Sequence, residues 1–251
     1  MKKTVLVILV LILAGCGRKG PLMAPEALAP APIADLRVEQ KEEQFQVSWS
    51  RPAAELGGRH LRDLARFQLF RREVLPPGED CEECPAAYRL LKSVDLDYLQ
   101  GVAIVGTRYL SIDTDLAGGK TYRYKVFSQK RDGTTSRVSN RASRKKVAPP
   151  LPPSVKAASS LDGVRLTWSG AAPPAGGRIE GYTVYRKESG ETHYLTPLTG
   201  APVKETVFED KQLEWGKRYD YTVMTMAVVD GETVESNPSN EVRAALTEPE
   251  E

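Results

Sequence analysis

Two cysteines in the middle of the chain have a spacing at which thiols can do chemistry. Cys81 and Cys84 form a Cys-x-x-Cys pair, which can act as a redox dithiol, supply half of a metal site or close a structural bridge. Four carboxylates within the stretch 79–83 would raise a thiol pKa and oppose the reactive thiolate. A zinc site needs four ligands, and the sequence offers no second cysteine pair. In an oxidising compartment we expect a bridge, with an unpaired dithiol or a metal site shared with another chain as the alternatives.

The two histidines of the sequence add little to this. His60 follows Gly57-Gly58-Arg59, and His193 lies near a predicted strand. Neither accompanies a nucleophile motif such as Gly-x-Ser-x-Gly, and the sequence contains no glycine-rich phosphate loop. We therefore expect surface histidines, no catalytic residues, no metal and no cofactor.

Composition excludes several classes of protein. Of the 251 residues, 41% are hydrophobic and 27% are charged, as in soluble globular proteins, so wholesale disorder is not expected. A net charge of +2 gives no general attraction to nucleic acid, and we expect no nucleic-acid partner. One apolar run is long and it lies at the N-terminus, which excludes a protein with several membrane spans.

The N-terminal run has the layout of a secretory signal. Met1-Lys2-Lys3 precedes the uncharged segment 4–13, which as a helix would rise about 15 Å, roughly half of a bilayer core. The next residues, Leu13-Ala14-Gly15-Cys16, resemble the lipobox of bacterial lipoproteins. The resemblance implies cleavage between Gly15 and Cys16, a diacylglycerol on the Cys16 thiol and an acyl chain such as palmitate on the new amino group. The alternative is a plain signal peptide that happens to precede a cysteine.

A lipid at Cys16 would be the means of membrane attachment. Buried lipid contributes about 0.8 kcal/mol per CH₂ group, so two or more chains hold a protein stably. Charge would not add to this, because cleavage removes Lys2 and Lys3 and leaves the basic side chains equal in number to the 33 acidic ones. We expect a lipid-anchored protein of the cell envelope.

The residues after the cysteine form a second motif. Gly17, Lys19, Gly20, Pro21 and Leu22 belong to the string Cys-Gly-Arg-Lys-Gly-Pro-Leu, which resembles the start of small Gram-negative lipoproteins of the LptM type. That family associates with the lipopolysaccharide-transport β-barrel of the outer membrane, so the resemblance implies such a barrel as a partner. The alternative is a plain basic tether. Because glycine rather than aspartate follows the cysteine, the lipoprotein resemblance implies the outer membrane, and we expect its periplasmic face.

Proline and alanine alternate between residues 25 and 32. Proline fixes φ and removes a hydrogen-bond donor, so this stretch is predicted to be extended and unable to pack a core. We therefore interpret 1–15 as the signal peptide and 16–31 as a spacer that lifts the folded part off the bilayer.

The remainder contains two copies of one module. Residues 45–49 and 164–168 both alternate apolar and polar residues and end in tryptophan, Trp49 and Trp168. The pattern Asp-x-x-Leu-x-x-Gly-x-x-Tyr occurs twice, ending at Tyr122 and at Tyr219. An Asp-Gly turn, the strongest short hairpin signal, follows each copy. Short strands without helical periodicity predict an all-β fold of two β-sandwiches.

These ordered features resemble fibronectin type III domains, which have an immunoglobulin-like fold. The resemblance covers 32–148 and 149–247, with a proline-rich boundary at 149–153 that predicts a fairly fixed angle between the modules. It implies that Trp49 and Trp168 lie in the two cores. It also implies that Tyr122 and Tyr219 are corner tyrosines whose hydroxyls bond to the backbone upstream.

The first module is longer than the second, and most of its extra residues lie between 74 and 110. Since no catalytic motif stands out, we expect a protein-binding or structural module that uses this enlarged segment as its contact surface. Two alternatives remain. One is an assembly factor at the lipopolysaccharide translocon, and the other is an envelope thiol–disulfide protein that uses Cys81 and Cys84.

Overall fold

A computed structural model describes residues 24–84, 86–192, 194 and 197–247. The lipobox residues Gly15 and Cys16, the motif at 17–22 and His193 lie outside the described residues. Within the described part, no helix is long and apolar enough to cross a membrane.

The first module is a sandwich of two four-stranded sheets, preceded by a short 3₁₀ turn at Pro25–Leu28. Its strands are β1 (Arg37–Lys41), β2 (Gln44–Ser50), β3 (Leu64–Val74), β4 (Arg89–Asp95), β5 (Val102–Val105), β6 (Arg108–Asp113), β7 (Thr121–Lys130) and β8 (Ala142–Lys145). One sheet has the order β1-β2-β6-β5 and the other β4-β3-β7-β8. Neighbouring strands within each of these sheets pair antiparallel.

The second module repeats this plan with fewer strands. They are β9 (Val155–Ser159), β10 (Val164–Trp168), β11 (Gly177–Glu188), β12 (Val207–Asp210), β13 (Tyr219–Val229), β14 (Glu232–Glu235) and β15 (Val242–Ala244). A three-stranded sheet, β9-β10-β12, faces a sheet in which β11, β14 and β15 all pair with β13. The strand β14 forms a hairpin with the end of β13, whereas β15 pairs with its start.

Strict alternation along the strands builds the two cores. On β2, the side chains of Phe45, Val47 and Trp49 are fully buried, while the residues between them face outward. Trp168 on β10 holds the matching place in the second core. Since side chains of a strand point to opposite faces in turn, this period of two is what the sequence pattern predicts. The chain is all-β, and its two sandwiches have the fibronectin type III-like arrangement expected from the sequence.

A continuous sheet joins the modules. Strand β1 of the first module pairs in parallel with β14 of the second, Gln40 opposite Val234 and Lys41 opposite Glu235. The combined sheet runs β11-β13-β14-β1-β2-β6-β5, with β15 also on β13. The edge that β1 would otherwise expose is thereby covered by the other module.

A small apolar cluster fills the junction beside this strand pair. Val147, at the end of the first module, packs with Ala227, Val229 and Val234 of the second. The buried amide of Gln40 accepts a hydrogen bond from the Val147 N–H (3.0 Å) and donates one to the Val147 carbonyl (2.7 Å). Backbone pairing, side-chain hydrogen bonds and apolar contacts therefore all restrain the boundary.

The proline- and alanine-rich stretch differs from the prediction. From Ala27 onward it is docked rather than a bare spacer, because the Gly57 N–H donates to the Ala27 carbonyl (2.8 Å) and the Leu56 N–H to the Ala29 carbonyl (2.9 Å). Ala29 and Pro30 are buried. The small side chains that make this stretch a poor core also let its backbone approach the loop after β2 closely.

Candidate functional site

The aspartate that opens the repeated ten-residue pattern is used inside the sandwich. The Asp113 carboxylate accepts hydrogen bonds from Arg71 Nη1 (2.6 Å) and from the Tyr124 hydroxyl (2.7 Å). Arg71 and Asp113 are both almost fully buried. Burial, followed by the charge of Asp113, raises the pKa of Tyr124, so the phenol stays neutral.

The second module contains the same network. The Asp210 carboxylate accepts from Arg186 Nη1 (2.8 Å) and from the Tyr221 hydroxyl (3.0 Å). Sequence reasoning noticed both aspartates as pattern residues but missed their role. The signal was present, because the stretches 66–73 and 181–188 also repeat each other in the sequence and place Arg71 and Arg186 at equivalent positions. Such a paired, hydrogen-bonded triad satisfies buried charges and is a structural element of both modules.

The four predicted core and corner residues lie in matching places. Trp49 and Trp168 are buried in their respective cores. The Tyr122 hydroxyl accepts a hydrogen bond from the Ala117 N–H at 2.8 Å, and the Tyr219 hydroxyl accepts one from the Glu214 N–H at 3.2 Å. Each of these bonds closes the backbone corner that precedes its strand.

Each module ends in the pattern Ser-x-x-Ser-Asn, at residues 136–140 and 236–240, and this ending also stabilises the fold. Asn140 holds the first strand region by accepting from the Leu36 N–H and donating to the Leu36 carbonyl, each at 2.9 Å. Asn240 does the same with Val155. The serine hydroxyls accept hydrogen bonds from N–H groups of the neighbouring strands β7 and β13. The polar residues that the two modules share are thus committed to structure.

The cysteine pair is a disulfide. Cys81 and Cys84 are bonded, with Cα atoms 5.4 Å apart, and both residues are exposed. The bridge lies in the segment between β3 and β4. It closes a tight turn in which the Cys84 N–H donates to the Cys81 carbonyl.

Three of the four acidic residues around the bridge, Asp80, Glu82 and Glu83, are paired with arginines. Asp80 accepts two hydrogen bonds from Arg72 (2.5 and 2.6 Å), which together with the Leu75 N–H hold the pKa of Asp80 at about 2. Glu82 pairs with Arg123 and Arg141. The negative field expected from the sequence is therefore compensated by arginines of β3, β7 and the approach to β8.

An aromatic stack attaches the same segment to the sheet. Tyr88 covers Lys125 on β7, whose Nζ lies 3.8 Å from the Tyr88 ring centroid. Phe70 and Phe127 pack edge to face beneath it, with centroids 5.7 Å apart. The disulfide segment, residues 75–84 and 86–88, therefore covers the outer face of the sheet β4-β3-β7-β8 and is not a projecting loop.

The other half of the enlarged segment forms a sheet edge. Strand β5 pairs with β6 on one side, and within the described residues no strand pairs with its other side. Its sequence, Val102-Ala103-Ile104-Val105, contains neither charge nor proline, and Ile104 is 52% exposed. Nearby, Tyr98 is 68% exposed. Edge strands usually carry a charge or a proline that blocks pairing with another chain, so this one has the composition of a contact surface.

The remaining candidate residues show no catalytic constellation. His60 is exposed in the loop between β2 and β3, where it lines a shallow depression with Arg59, Arg62 and Lys130. Among the described residues, no three His, Cys, Asp or Glu side chains are grouped so as to hold a metal ion.

Comparison with known proteins gives likenesses among solved structures. No family model matches the chain. A crystal structure of the chicken CNTN1 FN1–FN3 domains is similar, with 15% sequence identity and a TM-score of 0.42, and the match covers 90% of this chain and 69% of that one.

Proposed function

We propose that the protein is a lipid-anchored lipoprotein of the cell envelope that acts without catalysis, by binding a protein partner or by serving as a structural element. The proposal places it at the outer membrane on the periplasmic side, held by acyl chains on Cys16. The fold supports this proposal at the level of class, because sandwiches of this type present loops and edge strands to other proteins.

The observation that carries the binding role is the uncharged edge strand β5. The polar residues repeated in both modules hold the fold together, whereas Ala103 and Ile104 on β5 are exposed, and within the described chain no strand pairs with the outer edge of β5. A partner strand could pair with this edge, its backbone supplying affinity and its side chains meeting the apolar row.

A single charge on this edge tests the role. Ile104→Lys should abolish recovery of the partner when the full-length tagged protein is isolated from detergent-solubilised envelopes. The matched control is Ile112→Lys, since Ile112 is 38% exposed on the interior strand β6. An unchanged set of captured proteins with Ile104→Lys would remove β5 from the binding role.

The anchor has its own test. Mass spectrometry of the native polypeptide should find Cys16 as the first residue, carrying diacylglycerol and an N-acyl chain. Cys16→Ser should release the protein into the soluble fraction. An unacylated first residue in the membrane-bound protein would contradict the lipoprotein assignment.

A second candidate function rests on the motif at Gly17, Lys19, Gly20, Pro21 and Leu22, which lies outside the described residues. Through its resemblance to LptM-type lipoproteins, this motif favours a role as accessory factor at the lipopolysaccharide-transport barrel. A photo-crosslinker at position 19 or 22 should then capture a large β-barrel protein. Capture of phospholipid alone would refute this candidate.

A further inference from the structure

The docked segment fixes which end of the first module lies next to the proposed anchor. Fully extended, the chain from Cys16 to Ala27 spans at most about 40 Å. At Ala27 the chain is held against the loop between β2 and β3, because the Gly57 N–H donates to the Ala27 carbonyl (2.8 Å), and Lys130 Nζ donates to the Leu28 carbonyl at 3.3 Å. With Cys16 anchored, this loop, residues 51–62, therefore lies no farther from the membrane than the tether can reach.

The loop 51–62 has an apolar tip between basic side chains. Leu56 is 38% exposed, and Arg51, Arg59 and Arg62 are exposed around it. Arginine donates several hydrogen bonds to phosphate in a planar arrangement, and an apolar residue next to it suits the boundary between headgroups and acyl chains.

The carboxylates at this end are largely committed to other partners. Glu55 and Asp63 both pair with Lys130, at 2.9 and 3.2 Å. Asp97 pairs with Arg131 (2.8 Å). Elsewhere at this end Glu26 pairs with Arg137 (3.8 Å), Asp35 pairs with Arg108 (2.6 Å), and Asp95 and Asp132 accept local backbone hydrogen bonds. For Arg51 and Arg62 no carboxylate lies within ion-pair distance among the described residues, and Arg59 Nε is 3.9 Å from Glu55.

The second module shows that the fold does not require Arg51 or Leu56. From Trp49 to Arg59 the chain aligns without a gap with 168–178, because Gly57-Gly58-Arg59 matches Gly176-Gly177-Arg178. The equivalents of Arg51 and Leu56 are then Gly170 and Ala175. The same loop, placed away from the tether, has no charge between residues 169 and 177.

We infer that the loop 51–62 rests on the phospholipid headgroup layer of the membrane that carries the anchor, with Arg51, Arg59 and Arg62 on lipid phosphates and Leu56 reaching toward the acyl chains. This inference rests on the proposed lipid anchor. Tethering supplies a high local concentration, so contacts that are weak individually suffice to set the orientation.

The experiment uses a chemical tether in place of the native lipid. Cys81 and Cys84 are bridged, so Cys16 of the purified mature chain is the remaining thiol and can be coupled to a maleimide lipid in phosphatidylethanolamine–phosphatidylglycerol vesicles. A reporter is introduced as Leu56→Trp, or as Ala175→Trp for the matched control, in a Trp215→Phe background. Vesicles containing a lipid brominated near the glycerol then report proximity as quenching.

We expect at least twofold stronger quenching for Leu56→Trp than for Ala175→Trp. In the Leu56→Trp reporter, adding Arg59→Glu and Arg62→Glu should remove the excess, whereas Arg178→Glu should not. Equal quenching of the two reporters would overturn the inference. Because coupling is chemical, this result is independent of native acylation, which mass spectrometry of the envelope protein tests separately.

Discussion

The Lys41 ammonium of the first module lies 3.2 Å from the Glu235 carboxylate of the second, across the parallel pair of β1 and β14. The Tyr185 hydroxyl completes the group by donating to Glu235 at 2.9 Å and accepting from Lys41 at 2.9 Å. Glu235 is 2% exposed, so its charge depends on these two partners. The junction is therefore held by a buried ionic group as well as by backbone pairing.

Removing the cation should loosen this junction. Lys41→Met leaves the buried Glu235 with one side-chain donor, and since Lys41 is itself 29% exposed we expect a loss of about 1–3 kcal/mol. Urea unfolding should then change from one transition to two, with the second module unfolding first. Lys211→Met, on an exposed side chain, is the control. A single transition with an unchanged midpoint would show that the ionic group does not couple the modules.

Alkaline pH should weaken the same junction. Burial and the charge of Glu235 raise the pKa of Tyr185 to about 12, whereas an unfolded tyrosine titrates near 10. The folded state favours the neutral phenol, so this contribution is complete below about pH 10 and is lost as the pH rises toward 12. Urea midpoints measured across this range should fall less steeply in Tyr185→Phe than in the parent protein. In Tyr185→Phe the urea midpoint should still fall somewhat with rising pH, because Tyr124 and Tyr221 also have raised pKa values.

The disulfide should stabilise its own segment more than the whole module. Replacing both Cys81 and Cys84 by Ser removes a bridge across three residues, for which loop-closure entropy gives at most about 2 kcal/mol. We expect faster cleavage by a glutamate-specific protease within 79–83, while the core unfolds at nearly the same urea concentration. Asp80→Asn, which keeps the bridge and weakens the pairing with Arg72, provides the comparison. A first module that unfolds at a clearly lower urea concentration without the bridge would contradict this prediction.

The two corner tyrosines allow a comparison within one molecule. Tyr122→Phe and Tyr219→Phe each leave a backbone N–H without its acceptor, at a cost of about 1–3 kcal/mol. Since the bond to Tyr122 is shorter, 2.8 against 3.2 Å, the loss should be larger in the first module. Urea unfolding of each variant gives the total loss of stability, and hydrogen exchange measured separately in each module shows which module has lost it. Equal losses would show that bond length does not rank the corners.

Local patterns predicted the sandwiches well. Alternation at 45–49 and 164–168 determines which face of each strand is buried, and the two corners mark equivalent positions. The bridge between Cys81 and Cys84 was also among the expectations, because the spacing permits it. The buried strand faces, the corners and the bridge could be predicted because each depends on residues close together in the sequence or on a pattern that the two modules repeat.

The junction and the docked stretch could not be predicted in this way. Gln40 and Glu235 are polar and look like solvent-facing residues of edge strands, yet both are buried because two distant strands meet there. Likewise, nothing in an alternation of proline and alanine shows that the loop at 54–57 will bond to its backbone. These contacts depend on the relative placement of whole elements, which a local pattern does not contain.

The strand pair between β1 and β14 also has a consequence during synthesis. β1 emerges well before β14, whether from a ribosome or from the export channel that the proposed signal implies, and domains generally fold as they emerge. Until β14 has emerged, the first sandwich therefore exposes the backbone groups of β1 that β14 will later pair with. During that interval the exposed edge of β1 is most prone to pair with a strand of another chain. A chaperone that binds unfolded chains would act at this edge.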